Sequence, residues 1–210
     1  MIIIGLTGGI ASGKSTMAGI FRDLEIPVHD ADATVHDMMA PGGAAVDAVV
    51  DCFGEQVLAP DRSIDRQRLG AEVFGTADRR KKLESIIHPL VARSRDSFLM
   101  ANRQAGVPLV VLDIPLLFET GGEALCDFVI LCSVDIDTQR QRALKRQGMT
   151  AEKFEAIVQN QMPLAAKQAK ADAVIRTDRG VEAARADLQA ILDGPVDELR
   201  RRQSGGGRDA

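Results

Sequence analysis

Four apolar residues, MIII, give way at once to GLTGGIASGKST. Three of the four are β-branched and predict a short strand. Glycine is too permissive and too small to hold a pleated surface, so that strand is expected to end by residue 4. Gly8, Gly9, Ile10, Ala11, Ser12, Gly13, Lys14 and Ser15 then fit G-x-x-x-x-G-K-[ST], with a helical pattern following. A loop without bulky side chains lets backbone N–H groups point inward around a phosphate. Lys14 reaches the β- and γ-oxygens, the Ser15 hydroxyl suits Mg²⁺, and the positive end of the new helix faces the same charge. GLTGGIASG does not supply G-x-G-x-x-G at the turn, which excludes a dinucleotide fingerprint. The chain is therefore predicted to bind a nucleoside triphosphate.

Later apolar runs are short: PVHDAD, VPLVVLDIP ending its strand at Asp113, DFVILCSV and ADAVIRT. Their continuous rather than alternating character suits strands covered on both faces, as in a parallel sheet. Helical patterns over residues 15–24, 79–105, 136–147, 151–169 and 180–192 lie between them. Strands alternating with helices predict a doubly wound α/β fold, with the site along the edge where the strands end. The expected core is residues 1–32, 106–136 and 171–195. Residues 33–105 and 137–170 are expected to be helical insertions, and residues 196–210 a disordered tail. A net charge of −4 argues against non-specific nucleic-acid binding, and no apolar stretch reaches the ~20 residues of a membrane span. Cys52, Cys126 and Cys132 form no C-x-x-C pair, which points to a reducing compartment. With no signal-peptide pattern, a cytoplasmic protein is expected. Oligomeric state is not fixed by any of these features.

A phosphate loop alone does not say what is done with the nucleotide. Asp30 and Asp32, read as extended, share a face, and Asp32 is placed to accept a proton from an attacking hydroxyl or to hold Mg²⁺; a solvated helix cap is the alternative. Asp113 ends its strand as an acid oriented to Mg²⁺ would. Arg140, Arg142 and Arg146 are candidates to close over phosphates as a lid, with Arg142 and Arg146 four apart. No N-K-x-D is present, which removes guanine recognition of the GTPase kind. A nucleoside or nucleotide kinase and a regulatory nucleotide-binding module without a small-molecule acceptor both remain open at this point.

GLTGGIASGKST, DAD, PGG, HP, PLLFE and the pattern ending AD.VI, in this order and spacing from residue 2 to about 192, resemble the dephospho-coenzyme A kinases. The resemblance implies a P-loop kinase core with a helical substrate-binding insertion and a helical lid. It implies ATP-dependent phosphorylation of the 3′-hydroxyl of dephospho-CoA with Mg²⁺, the last step of coenzyme A synthesis. By the same resemblance, Ala11 to Thr16 bind the ATP phosphates, Asp32 is the base or hydroxyl-orienting group, and Arg142 is the lid arginine. Arg66, His88, Leu116, Leu117 and Glu119 fall on the substrate side. Two positions depart from the family pattern: Ile157, where many members carry Arg four residues before the lid Gln161, and Thr177, where many carry Asn.

Overall fold

The computed structural model describes residues 1–73 and 76–205; residues 74, 75 and 206–210 lie outside the described set. The strands are β1 (Ile2–Gly8), β2 (Val28–Asp30), β3 (Leu109–Asp113), β4 (Phe128–Ser133) and β5 (Ala173–Arg176). They form one sheet in the order β2-β3-β1-β4-β5. β1 pairs in parallel with both β3 and β4, and β4 with β5. Every residue of β1 and β4 is buried, as their unbroken apolar runs require of strands covered on both faces. β5, at the edge, buries only Ile175.

Helices α1 (Lys14–Asp23), α2 (Ala31–Met38), α3 (Val46–Phe53), α4 (Arg66–Val73) and α5 (Ala77–Gln104) precede β3. After β4 come α6 (Ile136–Leu144), α7 (Ala151–Gln159), α8 (Leu164–Lys170), α9 (Val181–Ile191) and α10 (Asp197–Gly205). The chain divides into two compact units. One comprises Met1–His29 and the chain from Asn102 onward, and the other Asp30–Ala101. The first builds its core from Ile4, Leu6, Phe21, Val111, Ile130, Ile175 and Leu188, joining α1 and α9 to the sheet. The second packs Val49, Phe53, Leu69 and Ile87 from its helices, with Ile64 from a short β-bridge, into a separate core.

Three differences from the sequence reading have identifiable causes. β1 continues through Gly5 and Gly8 because neighbours approach its backbone too closely for a side chain. A Cβ at Gly5 would lie 2.8 Å from Cys126 Sγ, and one at Gly8 would lie 2.9 Å from the Cys132 carbonyl. Here glycine is strand residue and spacer at once. The helix expected over 151–169 is two, α7 and α8, broken where Pro163 holds extended geometry (φ −54°, ψ 142°) ahead of α8. Residues 197–205, expected to be disordered, form α10. Leu199 packs on the main core, Gln203 Nε2 donates to Asp127 Oδ1 at 3.1 Å, and Arg200, Arg201 and Arg202 each pair with an acid one turn back in the helix. The remaining tail residues, 206–210, lie outside the described set. No helix among the described residues is long and apolar enough to cross a membrane.

Truncation after Val196 removes α10 and with it the Leu199 contact. Partial burial of one leucine stabilises by about 1–2 kcal/mol, and a chain of this size loses roughly 2–4 °C per kcal/mol. The melting temperature of the truncated chain is expected to fall by about 2–8 °C in a calorimetric scan; an unchanged value would mean that α10 contributes nothing to the core.

Candidate active site

The loop after β1 is shaped by backbone geometry that few residues tolerate. Gly13 sits at φ 86°, and Ala11 also adopts positive φ, 56°, strained for a residue with a Cβ. Ser12 N–H donates to the Gly9 carbonyl at 3.2 Å, which curls the loop on itself. α1 starts with no side-chain cap, so its first N–H groups are left to a ligand. The Ser12 hydroxyl is buried and has no partner among the described residues. An orphaned hydroxyl beside uncapped amides is the donor set that an anion would satisfy.

Lys14 folds back across the end of β3, where its Nζ lies 2.5 Å from Asp113 Oδ1, with Lys14 13% and Asp113 1% exposed. The sheet register makes this possible by setting Asp113 opposite Leu6. Under the loop, Cys132 of β4 is fully buried. Burial pushes its thiol up to about 12, Asp113 adds to the shift and Lys14 opposes it. Ser15 and Thr16 are exposed at the mouth of the loop.

The segment α6–α8 lies against this loop. Ala11 joins Ala143 and Phe154 in a small buried cluster, flanked by Ile10, Met149 and Val158. Gln161 Oε1 accepts from Ile10 N–H at 3.2 Å, and a Cβ on Gly9 would meet Gln139 Nε2 at 2.7 Å. Arg142 of α6 donates from Nη1 to Thr177 Oγ1 (3.1 Å) and from Nη2 to the Thr177 carbonyl (2.9 Å). Thr177 in turn donates its hydroxyl to the Ser12 carbonyl at 2.7 Å. Arg140 instead pairs loosely with Glu155 at 3.6 Å on an exposed face. Arg146 lies beyond the end of α6, so the helical face it was expected to share with Arg142 does not exist.

The remaining expected residues separate by environment. Leu117 is core, while Leu116 is 40% exposed. Glu119 Oε1 accepts from Met162 N–H (2.8 Å) and lies 2.8 Å from the ammonium of Lys167, which is 2% exposed. Nζ has no aligned hydrogen bond, so this is an ion pair in which charge rather than direction holds. Burial raises the Glu119 carboxyl, but Lys167 and the Met162 amide outweigh burial and leave it below its ordinary value. In the second unit, β2 ends at Asp30 and α2 begins at Ala31, so Asp32 is helical rather than extended. Asp30 is the cap: its carboxylate accepts from Ala33 N–H at 3.0 Å. Asp32, in the first turn of α2, Arg66, at the start of α4, and His88, on α5, are exposed. Among the described residues none of these three side chains has a hydrogen-bond or ion-pair partner, and His88 is not the buried helix residue that its place before Pro89 allowed.

A family model described as dephospho-CoA kinase matches residues 2–183. The dephospho-CoA kinase of Mesorhizobium japonicum is 48% identical over 193 residues, which span 92% of this chain and 96% of that protein. The chain belongs to the dephospho-CoA kinase family. It is a phosphotransferase with the P-loop kinase fold. The dephospho-CoA kinase of Paramagnetospirillum magneticum is 51% identical over 163 residues, 78% of this chain and 76% of its own. Among solved structures, a Thermus thermophilus protein superposes with a TM-score of 0.77 at 34% identity, covering 91% of this chain and 96% of that one. The Campylobacter jejuni dephospho-CoA kinase superposes with a TM-score of 0.61 at 24% identity, over 91% and 95% of the two chains, which is a likeness of fold.

Three polar residues at the loop, Gln139, Gln161 and Thr177, were not assigned to it from sequence. Gln161 carried a hint as the residue that ends the lid pattern. Thr177 was marked only as the position where many members of the resembled family carry Asn, and Gln139 carried none, being an ordinary polar residue far from the loop in sequence.

The Glu119 contact predicts a pH effect. A carboxyl held below its ordinary value of 4.5 contributes stability above that value, and the contribution is lost as pH falls through the folded-state value. Glu119→Gln is therefore expected to melt lower than the native chain near pH 7, and the gap is expected to close as pH drops below 4.5. A gap that stays constant from pH 7 to 3.5 would show that Glu119 does not act through its charge.

Proposed function

We propose that this chain transfers the γ-phosphoryl group of ATP to the ribose 3′-hydroxyl of dephospho-CoA, giving coenzyme A in the cytoplasm. The observation that carries this reading is the uncapped, glycine-shaped loop with Lys14 held over buried Asp113, in a chain of the dephospho-CoA kinase family. In this reading the loop amides and Ser12 to Thr16 cradle the polyphosphate. Lys14 exchanges Asp113 for the β- and γ-oxygens, and Arg142 neutralises charge on the transferring group. Asp32 accepts the proton of the acceptor hydroxyl. Arg66 and His88, exposed and unpartnered, are assigned to the CoA side of the substrate, and so is exposed Leu116. We assign Glu119 to anchoring the base of the lid, since Met162 and Lys167 already engage its carboxylate. The unit Asp30–Ala101 serves as the substrate domain and α6–α8 as the lid.

The residues also fit Mg²⁺. Ser15 and Asp113 offer the hard oxygen donors this ion takes, and it needs only one or two of them from protein when phosphates supply the rest. Bound there, Mg²⁺ supplies charge neutralisation on the phosphate oxygens.

Lys14→Ala is expected to abolish nearly all turnover while the fold persists. Asp32→Asn keeps size and removes charge, so turnover should fall roughly 10²–10⁴-fold, the usual worth of a positioned acid–base group, with ATP affinity largely kept. Arg142→Lys keeps charge and loses the planar fork, so turnover should drop with dephospho-CoA binding unaltered. The assay is incubation with ATP·Mg²⁺ and dephospho-CoA, with the product identified by mass and by position of the new phosphate. Near-normal turnover in Asp32→Asn removes Asp32 from the mechanism, and a protein that hydrolyses ATP without phosphorylating any acceptor removes the kinase reading.

A further inference from the structure

Thr177 stands one residue past β5 and is fixed in place by its own backbone, since its N–H donates to the Ser133 carbonyl at 3.0 Å. Two elements meet on it. From one side the guanidinium of Arg142 grips its Oγ1 at 3.1 Å and its carbonyl at 2.9 Å. On the other side its hydroxyl reaches the Ser12 carbonyl at 2.7 Å. The proton count fixes the direction of this chain. A guanidinium only donates and a hydroxyl has one proton, so Thr177 must accept from Arg142 and give its proton to Ser12. A bond accepted from a cation strengthens the bond donated onward. Contact with the loop is steric as well: a Cβ on Gly13 would lie 2.8 Å from Thr177 Oγ1 and 2.9 Å from its Cβ.

We infer that Thr177 is a positioning residue for the phosphoryl transfer, locking the guanidinium plane of Arg142 to the conformation of the phosphate loop. The inference rests on the reading of Arg142 as the phosphate-facing lid arginine. A two-point grip by one residue holds a planar fork in orientation as well as in place, which a single bond to a flexible side chain does not. It engages two of the five guanidinium donors, and the other three have no partner among the described residues. Ser12 lies within the loop, so a loop that changes shape moves the residue that holds the arginine.

Thr177→Val keeps the shape of the side chain and removes the hydroxyl. Hydrogen bonds to charged groups are the stronger kind, so turnover should fall about ten- to hundredfold. KM for dephospho-CoA and the melting temperature should stay near the native values. Thr177→Ser should recover most of the rate, because it restores the hydroxyl. In a double-mutant cycle, Thr177→Val combined with Arg142→Lys should be no slower than Arg142→Lys alone, since both remove the same positioning. Thr177→Ala replaces the valine variant in the cycle if that variant does not fold. A valine variant at native rate, a serine variant as slow as valine, or fully additive effects would each overturn the inference. If Arg142→Lys itself runs at native rate, the placement of Arg142 on the phosphates fails, and this inference falls with it. If Arg142→Lys is slow while Thr177→Val is fast, only the role of Thr177 is lost.

Discussion

β1 is hydrogen-bonded along both edges, and the chemistry of this protein begins where that double pairing stops. The register sets Leu6 opposite Asp113 on one side and Gly8 opposite Cys132 on the other. The loop thus leaves the sheet between an acid and a thiol, both out of reach of water. An isolated carboxylate at Asp113's depth would carry a desolvation penalty of several kcal/mol. Lys14 removes much of that penalty by closing to 2.5 Å. The pair is better understood as a store of charge than as a source of stability, because a buried ion pair gains little over apolar packing. Its consequence is that a lysine is held at the loop in a fixed place. The same apolar surroundings keep Cys132 a neutral thiol, so the acid beside it has no anionic neighbour there.

The segment α6–α8 meets the loop through few apolar atoms and several directed ones. Only Ala11, Ala143 and Phe154 are buried in their shared cluster, against a main core of fifteen buried residues. Burial of one phenylalanine and two alanines is worth a few kcal/mol at most, a small adhesion beside that of the sheet. Orientation comes from polar contacts: Gln161 on the Ile10 amide, and Arg142 through Thr177 on the Ser12 carbonyl. At the far end, Glu119 ties the segment after β3 to Met162 and Lys167, so α6–α8 has an anchored base and a lightly held face.

How much of this was legible in the sequence follows from how local each signal is. The loop is read from eight contiguous residues, and its flanking strand and helix are local too. Asp113 is legible because a strand ending in an acid is a pattern within one run. The parallel sheet is legible because unbroken apolar runs mean cover on both faces. Gly5 and Gly8 misled the strand boundary, since their reason lies in Cys126 and Cys132, more than a hundred residues away. The Asp30–Ala31 junction between strand and helix removed the extended face the two acids were expected to share and made Asp30 the cap, leaving the Asp32 carboxylate uncommitted. Thr177 stood out in sequence only as a departure from the family's Asn; its three contacts to two distant segments are announced by nothing in its neighbours.

Arg140, Arg142 and Arg146 show why residue type alone does not place a charge. Gln139, Arg142 and Ala143 are three and four apart, so on α6 they share one face, and that face meets the loop through Gly9, Thr177 and Ala11. Arg140, one residue past Gln139, is turned away by about 100°. It pairs with Glu155 at 3.6 Å with both side chains about half exposed, a contact worth little in stability. Arg146 follows the last residue of the helix and inherits no face at all. Three arginines within seven residues therefore occupy three environments. Ala143 decides among them: its small buried side chain lets α6 approach Ala11 closely, and that approach brings Arg142 within reach of Thr177. A larger residue at 143 would push α6 off the loop and leave the arginine without its grip, although every charge in α6–α8 would be unchanged.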